Sequence, residues 1–266
     1  MIFSWLRVRR RRRLLEAVFP EEWEQILQRR IWQVALLPEA QQARLRRLMQ
    51  VFVAEKNWEG CNGLTLTVEM QVVIAAYACL LVVGLNADEH FDHVQSILIY
   101  PAGYVGKNIQ DLGGGLILEG EQARIGEAWY RGPVILSWSD IHLTTQGQIP
   151  GRNVVFHEFA HQLDMLNGRS VDGTPPLPSA ELQDRWNLVL PDEFRELSRN
   201  CHLGEQTFLD CYGATSLAEF FAVATESFFE LPRQFRYFHS ELYSVLSRFY
   251  QQDPARLAMQ STDYDS

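Results

Sequence analysis

The sequence predicts an α+β fold, in which a helical N-terminal part and C-terminal helices enclose a small mixed or antiparallel sheet. Apolar residues recur at helical spacing over roughly the first 85 residues. The pattern then changes to short apolar runs separated by turn residues between about residues 96 and 138, and helical spacing returns from about residue 154. Helices followed by strands and then by helices again are typical of the α+β class.

Three helices are expected before the strands. Pro20 and the acidic residues after it suit a first helical turn, and this helix is expected to run to about Val34. Pro38 opens a second helix, and Thr67 is expected to cap a third that ends at Gly84. The third helix is apolar nearly all round, which predicts a central, buried position.

The middle of the chain predicts strands. The apolar run Ser96–Tyr100 precedes a proline and is expected to be a strand, and residues 123–130 and 133–138 flank a turn and predict a hairpin. The glycine cluster at residues 113–115 marks a loop. No lysine and hydroxyl residue follow that cluster, so a phosphate-binding loop is not expected there.

Further helices are expected after residue 178. Ser179, Pro191 and Ser216 each suit a helix start. A last helix is expected to place the apolar residues between Phe235 and Phe249 in the core, and the polar tail after Asp253 is expected to fray.

The composition is that of a globular protein, and the negative net charge argues against a general nucleic-acid-binding protein. The chain has 266 residues, 47% of them apolar, with 24 basic and 33 acidic residues and a net charge of −9. Arg7 and residues 9–13 supply six positive charges, which we interpret as a solvated arm in preference to an anionic-lipid or nucleic-acid contact. We predict a basic arm over 1–19, one domain over 20–254 and a polar tail over 255–266.

The cysteines and the apolar runs predict a soluble protein of the reducing cytoplasm. The four cysteines show no Cys-x-x-Cys spacing, and a disulfide framework is not expected. Cys79 lies within an apolar run, which predicts a buried thiol. No signal peptide is evident. The longest apolar run, Val72–Leu85, is fourteen residues long and falls short of the roughly eighteen needed for a membrane span.

A His-Glu-x-x-His motif lies in a segment with helical apolar spacing, residues 154–164. On a helix, His157 and His161 lie one turn apart on one face, where two imidazoles can bind one Zn²⁺. Glu158 would flank the metal, where a carboxylate can deprotonate a metal-bound water. The alternative is a pair of core histidines, each of which would need a buried hydrogen-bond partner.

A catalytic zinc needs a third protein ligand. Asn167 stands where one common pattern has a third histidine, which leaves a downstream glutamate as the ligand. Glu219 and Glu226 are seven residues apart, hence on one helix face, and both are candidates. The alternative for Glu219 is a capping box with Ser216. Asp164 is expected to support or cap the histidine helix rather than to bind metal.

These motifs together resemble the Mlc titration factor A family of bacterial zinc peptidases. The resemblance rests on the residues 157–161 and on the segment Tyr-Gly-Ala-Thr-Ser-x-Ala-Glu-Phe-Phe-Ala-Val over 212–223. The strand segments at residues 97–101 and 132–138 are also similar, and the similarity extends from about Trp58 to Pro254. The catalytic domain of anthrax lethal factor is similar around the same motifs and more distant elsewhere.

The resemblance implies a zincin-like metalloprotease core with one Zn²⁺ per chain. It implies that His157, His161 and Glu219 bind the metal, that Glu158 is the catalytic base and that Tyr212 assists. It also implies an edge strand that aligns a peptide beside the active-site helix.

The expected function is therefore zinc-dependent hydrolysis of peptide bonds in a peptide or protein substrate. An aminopeptidase-like or limited endoprotease activity is expected. Named members of the family bind the glucose-responsive repressor Mlc, which implies a link to the control of glucose uptake. The alternative is a binding protein that sequesters an Mlc-like repressor and has weak or regulated peptidase activity.

Overall fold

A computed structural model describes residues 2–86, 91–102, 104–111, 117–124, 126–128, 132–168 and 171–262. The glycine cluster at 113–115 therefore lies outside the described residues. The helices are α1 (Ile2–Glu16), α2 (Glu21–Arg30), α3 (Trp32–Leu36), α4 (Glu39–Glu55), α5 (Val68–Val82), α6 (Trp138–Thr145), α7 (Val154–Asp164), α8 (Ala180–Leu203), α9 (Leu217–Glu230), α10 (Pro232–Phe238), α11 (Ser240–Tyr250) and α12 (Pro254–Thr262). The strands are β1 (Asn57–Gly60), β2 (Ser96–Tyr100), β3 (Tyr104–Asp111), β4 (Ile117–Arg124), β5 (Gly126–Ala128) and β6 (Val134–Ser137).

A mixed sheet confirms the predicted α+β class. Its strand order is β1-β2-β6-β5, in which β1, β2 and β6 are parallel and β5 is antiparallel to β6. Ile97 and Ile99 of β2 are buried and lie opposite Val134 and Leu136 of β6. The predicted hairpin is formed by the short strand β5 and by β6, whereas β4 pairs with β3 in a separate antiparallel ribbon.

The apolar helix α5 lies at the centre, as predicted. The Thr67 hydroxyl caps it by accepting a hydrogen bond from the Met70 amide at 3.3 Å. Every residue from position 72 to position 82 is buried. The Tyr77 ring packs edge-on against Phe156 of α7 with 5.0 Å between ring centroids, so this central helix supports the helix that carries the His-Glu-x-x-His motif.

The basic N-terminal segment forms α1 and contacts the rest of the chain. The Arg11 guanidinium lies 2.6 Å from a Glu55 carboxylate oxygen and 2.5 Å from one of Asp92. The first predicted helix is interrupted at Ile31, where α2 ends and α3 begins. The boundary between arm and domain at residue 19 remains a prediction.

Three expectations for the C-terminal part were wrong. Pro191 lies inside α8 instead of starting a new helix, since buried apolar residues on both sides of it keep one continuous amphipathic helix. The last predicted helix divides at His239, and Phe238 is 60% exposed rather than in the core. Residues 254–262 of the expected tail form α12, in which Ala255 is buried and the Arg256 amide donates a hydrogen bond to the Asp253 carboxylate at 3.1 Å.

One disulfide forms although no disulfide framework was expected. Cys201 in the last turn of α8 is bonded to Cys211, ten residues later, with 5.8 Å between their Cα atoms. The loop between them folds back on α8, which brings the two thiols together. Cys79 is a buried free cysteine, as predicted. Within the described ranges, no helix has the length and apolar character needed to cross a membrane.

Candidate metal centre

The motif helix α7 begins where a capping residue is available. The Asn153 side-chain oxygen accepts hydrogen bonds from the amides of Val155 and Phe156, both at 3.1 Å. The apolar stripe of the helix is buried against α5 and α9, which confirms the predicted helix and its orientation. His157 and His161 consequently project from the same side, with 4.9 Å between their ring centroids.

The second element of the site is α9, which begins after Ser216. The Ser216 hydroxyl accepts a hydrogen bond from the Glu219 amide at 3.2 Å, so half of the expected capping box forms. The Glu219 carboxylate, however, reaches across to α7. Its Oε2 atom lies 2.9 Å from Nε2 of His157 and 3.4 Å from Nε2 of His161. The carboxylate of the capping box is therefore directed at the histidines.

These three side chains could hold one metal ion. Each of His157, His161 and Glu219 offers one ligand atom, and these atoms all lie within 4.8 Å of one another. Two imidazoles and a carboxylate on converging helices are a ligand set that could hold a metal ion and leave one position for water or substrate. The residue set that the sequence predicted is thus brought together by the fold, and the ligand role of each residue remains a prediction.

The electrostatics of the site favour a cation. Burial lowers the pKa of His157, but hydrogen bonds to Glu219 and Glu226 outweigh burial and hold that pKa well above its usual range. Burial raises the pKa of Glu219, and the two histidines nevertheless hold it far below the usual range of a carboxyl. The site therefore stabilises a positive charge between its carboxylates and imidazoles, whether a proton or a metal ion carries it.

Two further predicted residues lie at this centre. Glu158, next to His157 on α7, is only 4% exposed, so its carboxylate is shielded from bulk water. Tyr212 lies on a single 3-10 turn, Cys211–Ala214, and its ring centroid is 5.9 Å from that of His157. The Asp210 carboxylate holds this turn by accepting a hydrogen bond from the Tyr212 amide at 2.9 Å. At 53% exposure, Tyr212 lies on the solvent side of the histidines.

Glu226, the alternative ligand, lies behind His157 rather than among the ligand atoms. Its Oε1 is 2.8 Å from Nδ1 of His157, the ring nitrogen that faces away from Glu219. Its Oε2 accepts a hydrogen bond from the Asn153 amide at 2.5 Å. This carboxylate therefore ties α9 to the start of α7 and fixes the orientation of the His157 ring.

The sequence analysis did not anticipate the buried polar group around Asn153. The Asn153 side-chain amide donates to Glu230 at 2.7 Å, and the Gln33 amide donates to the same oxygen at 3.2 Å. Burial raises the pKa of Glu230 to about 7. An asparagine directly before the motif helix was a usable signal, because asparagine is a preferred N-cap.

Asp164 supports a loop rather than the histidines. Its carboxylate accepts hydrogen bonds from the amides of Gly173 at 2.7 Å and Thr174 at 2.8 Å. Gly173 has a φ of +80°, and a Cβ atom there would lie 2.4 Å from the carbonyl oxygen of Leu217. Nδ1 of His161 has no hydrogen-bond partner among the residues that the structure describes. Asp164 therefore supports the site only indirectly. It holds the loop at Gly173 and Thr174, and this loop packs on Leu217 at the start of α9.

A helix-rich α+β chain in which two histidines and a glutamate converge in this way defines a zincin-like metallopeptidase fold. Comparison with known proteins gives the particular family. The family model described as "Glucose-regulated metallo-peptidase M90" matches residues 5–251. The chain belongs to this family, and the predicted resemblance is confirmed.

Three relatives illustrate the similarity. The uncharacterized protein slr2042 of Synechocystis sp. is 36% identical over 92% of this chain and 89% of its own length. A Mlc titration factor A of Serratia proteamaculans is 36% identical over 85% of this chain and 88% of its own. A Mlc titration factor A of Klebsiella pneumoniae is 35% identical over 87% of this chain and 86% of its own.

Proposed function

We propose that this protein is a zinc-dependent peptidase with one Zn²⁺ held by His157, His161 and Glu219. The observation that carries the proposal is the convergence of these three ligand atoms within 4.8 Å of one another. Two imidazoles and a carboxylate are a donor set of catalytic zinc sites, which keep a fourth position for water or substrate. When bound, the zinc ion supplies a lowered pKa for water and polarises the substrate carbonyl.

In this proposal the protein's own residues handle the protons. Glu158 takes the proton of the attacking water and delivers it to the leaving amine, and its burial favours this exchange because the carboxylate is shielded from bulk water. The Tyr212 hydroxyl donates a hydrogen bond to the oxyanion that develops on the carbonyl. Its place on the solvent side of His157 supports this role, since substrate must approach from solvent.

Replacing Tyr212 with phenylalanine tests the oxyanion role. We expect Tyr212→Phe to keep its zinc and to lower kcat and kcat/KM alike by about 10²–10³, since the lost bond acts in the transition state. Steady-state kinetics on one peptide, with elemental analysis, measures both quantities. Tyr237→Phe is the matched control, because Tyr237 is 81% exposed and lies on α10. An unchanged kcat for Tyr212→Phe would leave the hydroxyl with no catalytic role.

Glu226 is expected to act as a positioning residue through His157. The Glu226 carboxylate accepts one hydrogen bond from the Asn153 backbone amide and one from Nδ1 of His157. In Glu226→Gln the side chain has a single oxygen and can accept only one of them, so zinc affinity should fall by about 10–100-fold. Competition with a chromophoric chelator measures the affinity. NMR of the zinc-loaded protein should show a shifted His157 Nδ1–H resonance, because an amide oxygen replaces the carboxylate that accepts this bond, and a purely structural role would not shift it.

Glu230→Gln is the matched control for Glu226. Glu230 lies on the same helix and in the same buried polar group, and its carboxylate contacts Asn153 and Gln33. We expect Glu230→Gln to keep wild-type zinc affinity. Equal losses of affinity in both variants would show that the effect comes from helix packing and not from the bond to His157.

The substrate preference and the partner follow from the family resemblance. We propose an aminopeptidase-like activity and, because relatives carry the name Mlc titration factor A, a partner of the Mlc repressor kind. Such a partner would place the protein in the cytoplasm. A repressor-sequestering protein with weak peptidase activity is the second candidate function. If sequestration is the main task, a purified Mlc-type repressor should bind Glu158→Gln and wild-type protein equally, and turnover of peptides should stay low.

A further inference from the structure

A cavity of about 240 Å³ lies under the basic helix α1, away from the metal ligands. It is open to solvent on one side and is lined by residues of α1, α4 and α5 and by Phe91 and Asp92. A cavity of about 150 Å³ with apolar walls is large enough to bind benzene in another protein, so this one has room for a short hydrocarbon chain. Its apolar walls are formed by Leu15, Leu48, Val51, Phe52, Val82 and Phe91.

The polar part of the lining is predominantly basic. Four cationic side chains and two carboxylates line the cavity, although the chain as a whole carries a net charge of −9. Both carboxylates, of Glu55 and Asp92, accept hydrogen bonds from Arg11. Lys56 donates to the Phe91 carbonyl and Arg44 to the Val83 carbonyl. The lining therefore carries two more cations than carboxylates, in a chain where acidic residues dominate.

We propose that this cavity is a binding site for a small amphiphilic carboxylate, with its hydrocarbon chain on the apolar walls and its charge beside the basic side chains of the lining. Apolar walls with a few placed polar groups are typical of small-molecule sites, because the walls supply affinity and the polar groups fix orientation. Arg47, which is exposed and lines the cavity on α4, is in place to bind the carboxylate head.

An occupant of the cavity would contact the support of the motif helix. Phe52 and Phe91 line the cavity, and both rings pack against Phe159, with centroid distances of 5.6 Å and 4.8 Å. Phe159 lies on α7 between Glu158 and His161. The proposed ligand site therefore lies against the aromatic side chains that pack on the buried face of α7.

Calorimetric titration of the full chain with three probes of equal chain length tests the proposal. Octanoate is expected to bind at one molecule per chain. Octanol, which lacks the charge, is expected to bind about tenfold or more weakly, the loss that accompanies one charge-assisted hydrogen bond. Octylammonium, whose charge is opposite, is expected to show no binding. Equal affinities for the three probes, or no binding of octanoate, would overturn the proposal.

Two variants locate the site. Val51→Trp fills the cavity and should abolish octanoate binding, provided that circular dichroism shows a folded protein. Arg47→Gln should weaken octanoate binding about tenfold, whereas Arg199→Gln, which removes one charge at an exposed residue of α8, should have no effect. Octanoate binding that survives Arg47→Gln unchanged would overturn the site whatever the outcome for Val51→Trp. Zinc content and peptidase activity play no part in these measurements, so their outcome is independent of the proposed function.

Discussion

Replacement of Glu158 with glutamine is expected to reduce peptide turnover by about 10²–10⁴ while zinc content stays at the wild-type level. Glutamine has nearly the shape of glutamate but cannot accept the proton of the attacking water. Glu158 is buried on α7 beside His157 and is not one of the three proposed zinc ligands, so zinc binding should remain intact. The variant thus separates the proton transfer from metal binding.

The measurement for Glu158→Gln is single-turnover and steady-state hydrolysis of one peptide, with zinc determined on the same sample. The control must change a charge without disturbing buried contacts. Gln162→Glu on the same helix does not meet this requirement, because Gln162 is buried and contacts His93. Glu181→Gln is a better one, since Glu181 is an exposed residue of α8 that pairs with Arg248 and is not among the converging ligands, so this variant should keep full activity. Turnover by Glu158→Gln at the wild-type rate would exclude Glu158 as the base.

Replacement of Glu219 with glutamine is expected to remove both zinc and activity. The Glu219 carboxylate lies at hydrogen-bond distance from Nε2 of His157 and close to Nε2 of His161, and its loss leaves two imidazoles, too few for a tightly held catalytic zinc. Without zinc, hydrolysis should fall to the background of the assay. Zinc content after dialysis and peptide turnover are the two measurements.

The capping alternative for Glu219 has its own matched variant. Ser216→Ala removes the hydroxyl that caps α9 and should cost about 0.5–2 kcal/mol of unfolding free energy while zinc is retained. If Glu219→Gln behaved like Ser216→Ala, with reduced stability and full zinc content, Glu219 would be a capping residue and not a ligand.

Local signals in the sequence were sufficient to predict most elements near the site. Thr67, Ser179 and Ser216 cap helices where expected, because hydroxyl caps act within three residues of the chain. The apolar stripe of α7 predicted its buried side and hence the side on which His157 and His161 lie.

The features that the sequence could not predict depend on contacts between distant segments. The capping box marks Glu219 only as a possible cap and does not show which glutamate reaches a metal. Both Glu219 and Glu226 lie on one face of α9, and the packing of that helix on α7 directs one to Nε2 and the other to Nδ1 of His157. Pro191 signalled a helix start, yet burial of the residues around it keeps α8 continuous. The strand β1 has no apolar run and forms because β2 offers it a partner.

Zinc content is the most direct test of the central claim, that His157, His161 and Glu219 form a metal centre. Elemental analysis of purified protein after exhaustive dialysis is expected to give about one zinc per chain for the wild type, the stoichiometry of a three-ligand catalytic site. His157→Ala and His161→Ala are each expected to give none, with the fold checked by circular dichroism. Stoichiometric zinc in both folded variants would contradict the site.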